Sequence, residues 1–133
     1  MIAAIADTHA AIWYVFGDPR LSVDAKNFFE RSAVRSSKVG VSTITVAEAV
    51  YLSEKGRVPA ATVPLLLGML RSREGVLQEL PLTGEIVEAM QHVGRDRVPD
   101  LPDRLIAATA LHFNVPVITR DREIQRAGLQ TVW

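Results

Sequence analysis

Cysteine is absent from the 133 residues. Neither a disulfide framework nor a cysteine-based zinc site is available, which fits a reducing, cytoplasmic setting. Long apolar runs are missing too. The longest, AAIWYVFG and VPLLLGML, fall well short of the roughly 18 residues that span a bilayer, so no membrane association is expected. The first residues lack the basic region of a secretory signal. There is no excess charge of one sign: Lys plus Arg and Asp plus Glu stand at 15 each. A domain-wide basic footprint for nucleic acid is thereby excluded, and any such binding must rest on a local patch or on bound cations. Repeats and low-complexity linkers do not occur. What is present is a chain 48% hydrophobic, too apolar for disorder and long enough for a real core, so residues 1–133 read as a single domain.

Short apolar runs alternate with helical stretches. Residues 2–7, 38–44, 76–82, 115–120 and 129–133 read as strands. Between them lie the apolar helix HAAIWYVF, a helix from Val23 to about Ala33 capped by Ser22, and a helix VAEAVYLSEKG capped by Thr45 and ended by Gly56. ATVPLLLGMLRSRE follows, with Pro64 in its first turn, as an arm packed elsewhere. Thr83 caps GEIVEAMQHVG, which ends at Gly94. The stretch Pro102–Phe113 forms a helix with Leu105, Ile106, Thr109, Ala110 and Phe113 as its buried stripe. Strict alternation predicts an α/β fold: a mostly parallel, twisted sheet of four to five strands between helical layers. In such sheets, ligands bind beyond the carboxyl ends of the strands, near a switch in strand order.

Four acids fall at that edge. Asp7 and Asp121 end apolar strands, and Asp103 opens an apolar helix. Glu48 sits in TVAEAVYL, apolar on nearly every side, where a buried carboxylate needs a cation or a cleft. Singly, each has a plain alternative: Asp7 and Asp121 as helix caps, Asp100 and Asp103 as a capping pair, Glu48 on a solvated stripe. Together they form a cluster of carboxylates that repel one another unless a cation is present. Oxygen-only ligation suits Mg²⁺ or Mn²⁺, and Mg²⁺ shares its sites with water and substrate phosphate. The residues alone thus lead to metal-dependent phosphoryl transfer or nuclease chemistry.

The motifs IADTHAAIW, VSTITVAEA, LPDRLIAATA and VITRD, in this order, resemble the PIN domain, and more closely the VapC-type toxins of toxin–antitoxin pairs. The resemblance spans essentially the whole chain and implies a three-layer α/β/α PIN-like fold. It also implies a metal-dependent endoribonuclease holding one or two Mg²⁺ or Mn²⁺ ions on Asp7, Glu48, Asp103 and Asp121, the last being the least constant family position. A metal-activated water would attack an RNA phosphodiester, leaving a 5′-phosphate and a 3′-hydroxyl. Thr119 matches the family's threonine in TRD and supports the site; Asp100 is an outer or capping acid. The partners implied are an RNA substrate, a cognate VapB-like antitoxin and a second copy in a homodimer. The apolar stretch AATVPLLLGML reads equally as interface or as core helix.

Arg97, Arg104, Arg120 and Arg122 lie near the acidic motifs and could supply a local phosphate patch, with surface ion pairs as the alternative. His9 reads more readily as a packing residue than as a general base. Trp13 and Tyr14 read as core or antitoxin contacts rather than base-stacking platforms. Two other readings compete. A catalytically inactive PIN-like module that binds RNA or protein conflicts with retention of all four acids. A phosphatase or receiver domain built on Asp7 conflicts with His9, where a second Asp is needed, and with LQELPLTG, which offers no phosphoacceptor.

Overall fold

The apolar run that opens the chain becomes strand β1, Ile2–Ala6, and Asp7 turns it directly into helix α1, Thr8–Phe16. The computed structural model describes residues 1–133. Gly17 closes α1 in the left-handed region, at φ 60°, where a side chain would be strained. Helix α2, Val23–Val34, starts on the Ser22 hydroxyl, which accepts from the Ala25 N–H. Strand β2, Lys38–Ser42, runs straight into α3, Thr43–Glu54. Ser42 rather than Thr45 caps α3. Its extended backbone ends the strand, and its hydroxyl accepts from the Ile44 N–H. Thr45 is thereby moved inside the helix, where it is fully buried.

Helix α4, Thr62–Arg71, carries Pro64 in its first turn. It is no separate arm: it packs on α1, α3 and the next strand, and Leu66 is fully buried. Strand β3, Leu77–Leu80, leads to α5, Gly84–Ala89, capped by Thr83. That helix ends sooner than its apolar pattern suggests, tightening into a 3₁₀ turn, Met90–His92. Helix α6, Leu101–Phe113, is followed by β4, Val117–Ile118, α7, Arg122–Gln125, and β5, Thr131–Val132.

The five strands form one sheet in the order β3-β2-β1-β4-β5, and every pairing is parallel. The period of two along the strands sorts the core into two layers. Ala4, Ala6, Val39, Val41, Leu77 and Ile118 belong to one cluster with residues of α1 to α4. Ile5, Leu80 and Val117 belong to the other, with α5, α6 and α7. The result is the expected three-layer α/β/α sandwich. Gly40 is where the layers leave no room. A Cβ there would stand 2.3 Å from Leu80 Cδ1 and 2.9 Å from Ile5 Cδ1.

Helix α6 is more deeply set than a single stripe. Leu105 to Ala110 are all buried, whereas Phe113, placed in the expected stripe, is 37% exposed beside the left-handed cap Asn114. Helix α3 differs the other way. Its apolar composition suggested burial on nearly every side, yet Val50 is 40% and Tyr51 54% exposed, and only Thr45 and Ala49 are fully inside. The chain builds outward from β1 through β2 to β3, then returns to β1's other flank for β4 and β5. The switch in strand order therefore lies between β1 and β4, where Asp7 and Asp121 leave the sheet.

Candidate active site

Asp7 is nearly buried, and both its oxygens are occupied. Oδ1 accepts from the Ala10 N–H at 2.9 Å, which caps α1, and Oδ2 accepts from the Thr119 hydroxyl at 2.5 Å. The capping role and the cleft role therefore coexist in one carboxylate. Thr119, itself fully buried, accepts from the Asp121 N–H at 2.9 Å. One hydroxyl thus ties the end of β1 to the turn after β4. Asp121 caps α7, its Oδ1 accepting from the Ile124 N–H at 3.0 Å.

Glu48 is held by a residue the sequence did not single out. The Thr8 hydroxyl donates to Glu48 Oε1 at 2.5 Å, and the Thr45 hydroxyl lies 3.2 Å from that of Thr8. With its proton committed to Glu48, Thr8 accepts from Thr45, and the three side chains form a short relay across α1 and α3. The only local hint was the threonine directly after Asp7; its partner lies 40 positions away. Asp103, on the third residue of α6, is held only through its backbone, whose N–H donates to the capping Asp100 Oδ2 at 3.1 Å.

These side chains line one cleft of about 350 Å³: Asp7, Thr8, His9, Trp13, Glu48, Asp100, Asp103, Arg120 and Asp121. All four acids expected from the sequence are therefore brought together, with Asp100 beside them. Burial pushes the Asp7 carboxyl up despite the bonds from Thr119 and Ala10. Burial also raises Glu48 against the pull of Thr8, and the negative charge of Asp100 raises it further. Asp103 is pushed up to about 7 by burial first, then by the charges of Asp100, Asp121, Glu48 and Asp7. None of the five acids forms a salt bridge. Carboxylates in a shared cleft that raise one another's pKa and form no salt bridge, with only His9 pulling Asp7 and Glu48 down, are a donor set that fits a hard cation. No three of them converge tightly enough to enclose an ion unaided. That openness is compatible with Mg²⁺, which is commonly held by one or two carboxylates plus water and phosphate.

The arginines separate clearly. Arg120 lines the cleft, its guanidinium 4.6 Å from the centre of the Trp13 ring. Arg97 and Arg122 are exposed and do not line it. Arg104 is a brace rather than a phosphate contact. Its Nε donates to the Val93 carbonyl at 2.9 Å and its Nη2 to the Met90 carbonyl at 3.1 Å, satisfying the end of the 3₁₀ turn. Tyr14 stacks on Phe29 at 4.1 Å and belongs to the core region. Trp13 is 4% exposed, so its ring face is not available for stacking, although it forms part of the cleft wall. His9 is exposed on that wall, its ring 5.5 Å from Trp13.

The family model of the PIN domain matches residues 4–129. Ribonuclease VapC22 of Mycobacterium tuberculosis is 26% identical over 125 residues, covering 94% of this chain and 92% of its own length. Two solved structures share the fold over 98% of this chain and 97% of theirs. One is VapBC2 from Rickettsia felis bound to a DNA fragment from its promoter, with a TM-score of 0.72 and 18% identity. The other is DNA-bound VapBC from Salmonella typhimurium, with a TM-score of 0.68 and 20% identity.

Proposed function

This chain belongs to the PIN domain family, and from that premise we propose that it is a VapC-type toxin: an Mg²⁺- or Mn²⁺-dependent endoribonuclease restrained by a VapB-like antitoxin. The observation that carries the reading is the cleft itself. Asp7, Glu48 and Asp103 all have raised pKa values there, even with His9 nearby pulling Asp7 and Glu48 down, and none forms a salt bridge. Burial and mutual repulsion make such a grouping costly unless something positive joins it. Similarity to a protein named as a ribonuclease, and to toxin–antitoxin complexes, supports the same substrate class and partner.

Asp7, Glu48, Asp103 and Asp121 would hold one or two ions, with Asp100 outside them. When bound, Mg²⁺ or Mn²⁺ supplies the positive charge that acidifies water and stabilises the charge building on the phosphate. The chain's own part is to fix and orient. The Thr119 and Thr8 hydroxyls hold one oxygen each of Asp7 and Glu48 and leave Glu48 Oε2 without a side-chain donor. Arg120, resting on Trp13, presents a cation at the cleft wall for a phosphate oxygen. No serine or cysteine nucleophile lines the cleft, and none is needed for attack by water.

The exposed apolar side chains Val50 and Tyr51 on α3 and Leu65 on α4 support coverage by a second copy or by the antitoxin. No helix is long and apolar enough to cross a membrane, and a cytoplasmic site of action accords with an RNA substrate. The test is cleavage of RNA in Mn²⁺ by the purified chain, with EDTA and the Asp7→Asn and Asp103→Asn variants alongside. Loss of cleavage in all three supports the assignment. Equal cleavage by the variants points to a contaminating nuclease and removes these residues from the reaction. A wild-type chain that binds RNA and never cuts it would be an inactive PIN-like module.

A further inference from the structure

A second groove of about 280 Å³ adjoins the acid cleft, between α1 and the loop that follows α3. The two concavities share His9 and Trp13, so a strand lying in one continues into the other. Their chemistry differs. The groove has apolar walls, with Ile12 and Phe16 on α1 and Pro59 on the loop. Its one acid, Asp18, is already neutralised. Arg20 donates from Nε to Oδ1 at 3.1 Å and from Nη2 to Oδ2 at 2.7 Å. Arg57, also lining the groove, is exposed and forms no ion pair. The groove therefore presents apolar walls and one uncompensated positive charge, next to a cleft suited to a phosphodiester. That combination matches a nucleotide: a flat base against apolar walls and a phosphate on guanidinium.

We propose that this groove is a subsite for single-stranded RNA, seating the base of the nucleotide that flanks the scissile phosphate between His9 and the Phe16–Pro59 walls, with Arg57 on the neighbouring phosphate. His9 stands exposed on the shared wall with its ring supported by Trp13, where it offers a face to an unstacked base. A base within a duplex would enter only at the cost of unpairing and unstacking, so the groove favours a substrate unpaired at this position. The location of the scissile phosphate rests on the nuclease reading above; RNA binding in the groove does not.

Two measurements separate the ideas. The first is fluorescence anisotropy of a labelled, randomised 12-nucleotide single-stranded RNA in an Asp7→Asn background, so that nothing is cut. Arg57→Ala is expected to weaken binding roughly fivefold and to flatten the slope of log K against log salt by about 0.7, the loss of one phosphate contact. Arg35→Ala, at the residue that ends α2 and outside both concavities, is the charge-matched control and is expected to change affinity less than twofold. Equal effects of the two variants, or none from Arg57→Ala, overturn the subsite; the second result is also the outcome if the groove serves a protein partner instead. The second measurement sequences the products of randomised RNA cut in Mn²⁺. Phe16→Ala is expected to blur a base preference at one position on one side of the cut, and an unchanged preference overturns the proposal. Arg57-dependent binding without cleavage keeps the subsite and removes the nuclease. Cleavage with Arg57-independent binding does the reverse.

Discussion

Replacing Asp103 by asparagine is expected to make the metal-free protein more stable and its metal response weaker. Asp103 has a carboxyl raised from 3.8 to about 7 in the fold. The folded chain therefore binds its proton more tightly than the unfolded chain does. The associated stability is complete below about pH 4 and is lost as pH rises to about 7. At 1.36 kcal/mol per pH unit, the full difference amounts to about 4 kcal/mol. The carboxylate is only partly buried, and solvent screening reduces this to about 1–2 kcal/mol. Asparagine keeps the shape without the charge, so the gap between variant and wild type should be near zero at pH 4 and reach its plateau above pH 7. For a chain of this length, the plateau corresponds to roughly 4–8 °C in Tm. The assay is thermal unfolding followed by circular dichroism in EDTA across that range, then repeated with Mn²⁺. Metal at about 100 times its Kd should stabilise the wild type by about 2.7 kcal/mol and the variant by less. A variant less stable than wild type in EDTA at pH 8, or a gap independent of pH, would refute the idea that uncompensated charge strains this cleft.

Other perturbations test the supports. Thr119→Val removes the donor to Asp7 and the acceptor for the Asp121 N–H; denaturant unfolding should register a loss of about 1–3 kcal/mol, and cleavage should fall about 10–100-fold. Thr8→Val should leave Glu48 with a pKa still further above its normal range, moving the acid limb of the cleavage–pH profile to higher pH; an unmoved limb would count against the relay. Arg104→Ala should cost about 1–2 kcal/mol by leaving the Val93 carbonyl without its side-chain donor and the Met90 carbonyl with only the Val93 N–H. Its RNA affinity, read by anisotropy, should nevertheless change less than that of Arg120→Ala. Gly40→Ala should destabilise by about 1–3 kcal/mol as Leu80 and Ile5 are forced aside, and chemical denaturation measures it directly.

Features written in neighbouring residues were legible in the sequence, and features written in distant ones were not. Ser22, Thr83, Asp100 and Asp121 all cap the helices that follow them, because a cap joins a side chain to an N–H only three positions on. The sheet followed from alternation, and the shared edge of the four acids followed from the sheet. Thr45 was misplaced as a cap because Ser42 offers the same chemistry three residues earlier, and only the length of β2 decides between them. The Thr8–Glu48 bond could not be read, since nothing local distinguishes a threonine that caps from one that reaches another helix. Arg104 likewise has the composition of a phosphate ligand, and only the shape of the 3₁₀ turn reveals that its donors are spent on carbonyls. The exposure of Val50 and Tyr51 on an apolar helix was illegible for a related reason: composition does not say which faces a helix has neighbours on.

The bond between Asp7 and Thr119 joins residues 112 positions apart, and that separation is also an interval of time. A ribosome adding about 5–20 residues per second makes the second partner roughly 6–22 s after the first. Until β4 pairs with β1, Asp7 has its cap but no Thr119, and Asp121 is not yet part of the cleft. A nascent chain therefore carries an unfinished cleft throughout the interval between the two partners. For a protein whose proposed substrate is RNA, the site cannot assemble until the machine translating it has passed Thr119 and Asp121.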